Sequence, residues 1–238
     1  MSVNNELENF TYISSHDLQE PLRKIHSFAK RILDKENDNL SDEGKDLFRR
    51  ISEASVRMQI LIQDLLAFSR LGHTEELFEN TNLNKIVEEV KVDLRHVIEE
   101  KHAIIDVGIM DEIKIIPFQF RQLVHNLLSN SLKYSNLKIA PHIIMKSHIA
   151  KGIKHINTKL SPEINYCHIT ISDNGIGFEK EYSDKIFEVF KRLHSREEYA
   201  GTGIGLAIVK KIVENHKGFI SAESELGKGA TFNIYLPA

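Results

Sequence analysis

The chain has 238 residues, 41% of them apolar, with 31 basic against 34 acidic side chains, and this near balance gives no broad field for nucleic acid. The length allows one large domain or two modest ones with a real core. No run of about 18 apolar residues offers a membrane span and no basic-then-apolar leader opens the chain, so a cytoplasmic segment with no membrane contact is expected. The one cysteine, Cys167, lies in an alternating apolar run and reads as a small buried hydrophobe, while the 12 histidines are scattered rather than spaced as metal ligands.

From about Glu6 to Lys35, Leu18, Leu22, Ile25, Ala29 and Ile32 recur at steps of four, three, four and three, the stripe of an amphipathic helix. It begins abruptly, as though it continued upstream in a longer protein. Asn37-Asp38-Asn39 makes a polar break, Ser41 suits an N-cap, and Asp42 and Glu43 suit the first turn of a second helix reaching about Leu71. Leu47, Ile51, Ala54, Met58, Leu61, Leu65 and Phe68 give that helix a heptad-like seam. A hairpin of two such helices buries each seam on one side only, so a homodimer closing a four-helix bundle is expected.

Gly72 is read as closing the second helix and residues 73–82 as a hinge, dividing a domain over 1–72 from one over 83–238. Beyond the hinge the pattern predicts a helix over Leu83–Lys101, strands over Ala103–Val107 and Glu112–Ile116, and a helix from Pro117 to about Tyr134. Antiparallel strands are predicted over His142–Ile149 and Tyr166–Ser172, with a polar connection between them. A short helix within Glu179–Phe190, another over Gly205–Lys217, and strands over Phe219–Glu223 and Ala230–Leu236 complete an α+β domain, a mixed sheet with helices on one face.

Four stretches carry chemistry. In the helix from Pro117, Asn126 and Asn130 are four apart with Lys133 and Tyr134 one turn on, a polar ridge whose amides and ammonium group suit magnesium and phosphate oxygens. Asp173-Asn174-Gly175-Ile176-Gly177 packs an acid and two glycines at a strand end, where a carboxylate can accept a bond from an amino group. Phe187 to Ala200 suits a mobile lid with Lys191 and Arg192 in reach of phosphate charge. Gly201-Thr202-Gly203-Ile204-Gly205-Leu206 then feeds a helix N-terminus, a natural phosphate cradle.

The order of these stretches resembles the N, G1, F and G2 boxes of the sensor histidine kinases, whose ATP-binding domain shares the fold of gyrase-type and chaperone ATPases. Ser15-His16-Asp17-Leu18-Gln19-Glu20-Pro21 is similar to the phosphoacceptor box of the same family. The resemblance covers nearly the whole chain. It implies that Asp173 binds the adenine amino group, Asn130 the Mg²⁺, and Lys133 and Arg192 the phosphates, with Tyr134 near the base. Asn126, Gly175, Gly177, Lys191, Gly201, Thr202, Gly203, Gly205, Leu206 and Thr231 complete the expected ATP-binding set.

His16 lies about 160° around the helix from Leu18, away from the apolar stripe. Asp17 beside it can orient one ring nitrogen and leave the other free to attack, while Pro21 is expected to bend the helix one turn on. The implied reaction is transfer of the ATP γ-phosphoryl group to His16 and then to an aspartate of a response regulator receiver domain. Hydrolytic relatives of the ATP fold carry glutamate where this chain has Asn126, a poor general base, so a kinase is favoured over a free-standing ATPase. The other reading is a degenerate nucleotide-binding dimerisation scaffold. Many family members place threonine or asparagine where this chain has Glu20, which puts phosphatase action on the partner in doubt.

Overall fold

A computed structural model describes residues 3–71, 78–136, 138–151, 160, 161, 163–194, 198, 199 and 201–238, with the backbone alone for residues 3–17, Arg70 and Lys151. It falls into two compact units, Met1–Gly72 and His73–Ala238.

The first unit is a helical hairpin. Helix α1 spans Val3–Lys35 and runs through Pro21; a 3₁₀ turn over Asn37–Asn39 leads to α2 over Asp42–Arg70. Ser41 is the N-cap, its Oγ accepting from Gly44 N at 3.1 Å, and Asp42 and Glu43 sit in the first turn, where their charge complements the exposed amides. Of the α1 stripe, Leu22 and Ala29 are buried, whereas Leu18, Ile25, Leu47, Ile51, Met58 and Leu65 of the two stripes remain exposed in the single chain. Gly72 lies outside the described residues.

The second unit is a mixed sheet carrying helices. Strand β1 (Glu79–Asn82) pairs antiparallel with β3 (Glu112–Ile115) in a small ribbon. The stretch read as a hinge to Asn82 therefore ends in a strand, whose exposed polar residues hid it from a search for apolar alternation. Asn82 caps α3 (Leu83–Asp93), and α4 (Arg95–Glu100) follows. The single helix expected over Leu83–Lys101 is thus broken at Leu94, which leaves helical geometry with φ −91° and ψ 4° while staying buried.

Strands β2 (Ile104–Val107), β4 (His142–Lys151), β5 (Asn165–Asp173), β6 (Phe219–Glu225) and β7 (Gly229–Pro237) form the main sheet in the order β2-β4-β5-β7-β6. Only the β2–β4 pair is parallel; the others are antiparallel. Helices α5 (Pro117–Lys133) and α6 (Gly205–Asn215) pack on each other, α5 starting with Pro117 where no amide hydrogen is needed. Phe120, Leu123, Leu127 and Leu128 of α5 and Ile208, Val209 and Ile212 of α6 join Ile169 and Ile171 of β5 among the buried residues. Buried His216 ties the two helices together: Ile116 N donates to its Nε2 at 3.0 Å, and its Nδ1 bonds Ile212 O at 2.8 Å. The short helix expected within Glu179–Phe190 is instead two 3₁₀ turns, Lys180–Tyr182 and Lys185–Phe187, each too brief to close an α-helical ladder.

Candidate functional site

Strand β5 delivers Asp173 to the wall of a cavity. The alternation of Ile169 and Ile171 toward the core sets Asp173 at the strand end, half-buried. Its Oδ2 accepts from Ser131 Oγ at 3.0 Å; its Oδ1 accepts from Gly175 N at 2.9 Å and Ala230 N at 3.2 Å. Burial raises the carboxyl above its ordinary range, and these three bonds oppose the rise. The group is a fixed acceptor with lone pairs to spare, since an ionised carboxylate offers about four acceptor sites.

The loop after Asp173 is pressed onto the end of α5. Ile176 N donates to Tyr134 O at 2.9 Å, and Gly175 passes so close to that carbonyl that a β-carbon would sit 2.5 Å from it. Gly177 has φ 62°, and a β-carbon there would overlap the Glu225 carbonyl, so glycine is required both by conformation and by space. Asn174 is a brace, accepting from His142 N at 2.8 Å and donating to Ala140 O at 3.1 Å.

The same cavity is lined by Asn130, Ser131 and Tyr134 of the α5 end, by Asp173, Ile176, Gly177 and Phe178, and by Lys191, Arg192, Leu206 and Phe232. Lys133 Nζ sits 4.2 Å from the centre of the Tyr134 ring and packs against Gly201 of the glycine loop. Burial, and then the charge of Arg192, lower the Lys133 ammonium to about 8. Burial raises the Tyr134 phenol, with Arg192 opposing. Arg192 braces the loop: Nη1 donates to Gly201 O at 2.9 Å and Nη2 to Tyr199 O at 2.7 Å. Gly203 O accepts from Phe190 N at 3.0 Å, and Thr202 Oγ1 accepts from Ile204 N at 3.4 Å just ahead of α6. Gly205 begins α6 and Leu206 turns into the cavity.

Asn130, Lys133, Tyr134, Asp173, Gly175, Gly177, Lys191, Arg192, Gly201, Thr202, Gly203, Gly205 and Leu206 thus surround one cavity or the loops bounding it. Two expected residues stand back from it. Asn126 Nδ2 donates to Gln122 O at 2.9 Å while its Oδ1 packs beneath Gly205, and Thr231 Oγ1 pairs with Ser172 Oγ at 2.9 Å across β5 and β7. His16 and Asp17 lie in α1, but their side chains are outside the described residues. Glu20, four residues past His16, forms an exposed pair with Lys24 at 2.7 Å. Sequence reading missed Ser131 and His194. Ser131 was one position from a chosen residue, yet its partner is 42 residues away; His194 had no motif to mark it, though it lines the cavity.

Comparison with known proteins places the two units in families. Residues 116–238 match the family described as histidine kinase-, DNA gyrase B- and HSP90-like ATPase, and residues 6–74 match the His Kinase A (phospho-acceptor) domain. Cyanobacterial phytochrome A of Nostoc is 37% identical over 235 residues, 98% of this chain and 29% of the relative. Sensor protein kinase WalK of Staphylococcus haemolyticus is 31% identical over 250 residues, 99% of this chain and 37% of the relative. The chain spans about 30% of the length of the cyanobacterial phytochromes it matches. In fold it is similar to full-length ShkA in complex with AMPPNP, with a TM-score of 0.67 at 23% identity over 96% of this chain and 45% of that one. The Acinetobacter baumannii histidine kinase AdeS gives a TM-score of 0.60 at 18% identity over 91% of this chain and 96% of that one. With a phospho-acceptor domain preceding an ATPase domain of this type, the chain belongs to the histidine kinase family.

Proposed function

We propose that the chain is the core of a two-component sensor kinase that phosphorylates His16 from ATP and passes the phosphoryl group to a receiver-domain aspartate. The observation that carries this reading is the braced, half-buried Asp173 carboxylate sharing one cavity with Asn130, Tyr134 and the Lys191–Arg192 pair. Asp173 accepts from the adenine amino group, a bond that guanine, with a carbonyl in that place, does not supply. Lys133, Lys191, Arg192 and the amides of Gly201–Gly205 meet the phosphates. In the transfer the bond from the γ-phosphorus to the β–γ bridging oxygen breaks, a His16 ring nitrogen forms the new P–N bond, and ADP leaves. Asp17 orients the imidazole in the tautomer that presents that nitrogen.

Among the described residues no cluster of three or more His, Cys, Asp or Glu side chains forms a metal cage. That suits a magnesium ion carried in on the nucleotide, with the Asn130 amide oxygen as the protein's hard ligand. Bound there, Mg²⁺ supplies charge neutralisation of the phosphates.

The exposed seam residues Leu18, Ile25, Leu47, Ile51, Met58 and Leu65 support a homodimer closed through α1 and α2, because monomers rarely leave so continuous an apolar stripe in water. The receiver domain would dock on the helices beyond His16, and with Glu20 in the place where many relatives have threonine or asparagine, forward transfer would dominate over phosphatase action. Incubation with γ-labelled ATP tests the whole reading. Acid-labile, base-stable label on the chain, absent from His16→Ala, is expected; tight ATP binding with no label would leave a nucleotide-binding scaffold instead.

A further inference from the structure

Two aromatic residues near the glycine loop are used neither by the sequence motifs nor by the phosphate chemistry. His194 lines the cavity with Asp173, Ser131 and Tyr134. Its ring centre lies 5.9 Å from that of Tyr134 and 5.3 Å from that of Tyr199, and Tyr199 closes the triangle at 5.0 Å from Tyr134. Interplanar angles of 37°, 44° and 56° make this a cluster of tilted rings, an arrangement in which edge and face quadrupoles attract.

The cluster is fixed from two sides. Tyr134 is the C-cap of α5, its carbonyl held by Ile176 N at 2.9 Å. Tyr199 is held by its own carbonyl, which accepts from Arg192 Nη2 at 2.7 Å, and His194 Nδ1 lies 4.0 Å from Glu198 Oε2. The position within the cavity also matters. Lys133 packs on Gly201 and marks the phosphate end, whereas Tyr134 is the next turn after Ser131, the partner of Asp173. Lys133 Nζ also lies 4.2 Å from the Tyr134 ring, so Tyr134 and His194 flank the passage between the Asp173 end of the cavity and the phosphate end, where the base and ribose would lie.

Resting on the nucleotide reading above, we propose that His194 is a ligand-binding residue that stacks with Tyr134 on the adenosine end of the ligand, and that Tyr199 is a positioning residue that holds the His194 ring. The imidazole face packs on the base and ribose, and the second tyrosine keeps that face from rotating into solvent when the cavity fills. Flat rings suit this task because every base presents a π-face and each ring orders few torsions.

Titration calorimetry on the full chain with two probes, adenosine and AMPPNP, tests the assignment. His194→Ala is expected to weaken both ligands by the same factor, about tenfold, the scale of one lost base–aromatic stack. His194→Phe is expected to restore most of the affinity for both, which a lost charge or a lost hydrogen bond of the imidazole would not allow, whereas His194→Leu, apolar but without a ring face, is expected not to. Tyr199→Ala is expected to give a smaller loss, equal for the two ligands, that Tyr199→Phe repairs. Unchanged affinity in a folded His194→Ala protein overturns the proposal, and so does a loss confined to AMPPNP, which would make His194 a phosphate contact. Wild-type protein that binds neither ligand overturns the nucleotide reading together with this one, so the two failures are distinguishable.

Discussion

Lys133 offers a pH test of the phosphate end of the cavity. Its ammonium is lowered to about 8, by burial first and by the Arg192 charge second, whereas a lysine in an unfolded chain titrates near ~10.4. Without ligand it is charged below about pH 8 and sheds its proton above. A bound triphosphate brings negative charge to the ammonium and holds the proton on, so binding takes up a proton once the pH passes that point. Linkage then makes the association constant fall about tenfold per pH unit, and because a group one unit above its pKa is ~90% deprotonated, the loss between pH 7 and pH 9 is about tenfold. The assay is AMPPNP binding across that range in wild type, Lys133→Arg and Lys133→Met. Arginine stays charged throughout, so its profile is expected to be flat, and the methionine variant is expected to be weak and flat. Adenosine, with no phosphate, should show no slope in any of them. A wild-type profile that stays level to pH 9, or a fall that persists in Lys133→Arg, refutes the placement of Lys133 on the phosphates. The same depressed pKa makes the ligand-free chain gain stability as pH rises from about 8 toward ~10.4, since there the unfolded chain holds a proton that the folded one has released.

Asp173→Asn keeps the acceptor for Gly175 N and Ala230 N but removes the buried charge. Because burial raises the folded-state pKa, the wild type loses stability as pH climbs through the carboxylate range, and the variant lacks that loss; it should melt higher than wild type at neutral pH while adenosine binding falls at least tenfold. A lower melting temperature would contradict the sign. Ser131→Ala deletes one of the three donors that hold Asp173 ionised, so AMPPNP affinity should drop severalfold, about 1 kcal/mol, with the melting temperature little changed. Gly177→Ala forces a side chain into a left-handed turn against the Glu225 carbonyl and should cost roughly 2–3 kcal/mol in thermal unfolding; a change below about 0.5 kcal/mol would show that the turn relaxes freely. His216→Ala strands the Ile116 amide and should destabilise the ATPase unit by about 2 kcal/mol, whereas His216→Gln, which can still accept there, should recover part of it.

Much of this protein was written in local pattern. The 3.6-residue rhythm of α1 and α2, the Ser41 cap and the Pro117 start act within one or two turns, and each element appears where its pattern lies. The alternation in β4 and β5 and the chain order of the asparagine helix, Asp-x-Gly-x-Gly loop, basic pair and glycine loop were legible for the same reason: turn and strand preferences reside in a few neighbouring residues. Tertiary structure decided what depends on partners. Polar Glu79–Asn82 became a strand only because β3 supplied its backbone bonds, and the contact of Asn126 with Gly205 joins residues far apart in the chain. Ser131 reaches Asp173 across 42 residues and His216 reaches Ile116 across 100, contacts that no periodicity encodes. A side chain's propensity is set by its own covalent neighbours, whereas its burial, its hydrogen-bond partner and its pKa are set by whatever the fold brings beside it. For that reason the order of the motifs could be read along the chain, and the charge state of Lys133 and the ring cluster around His194 could not.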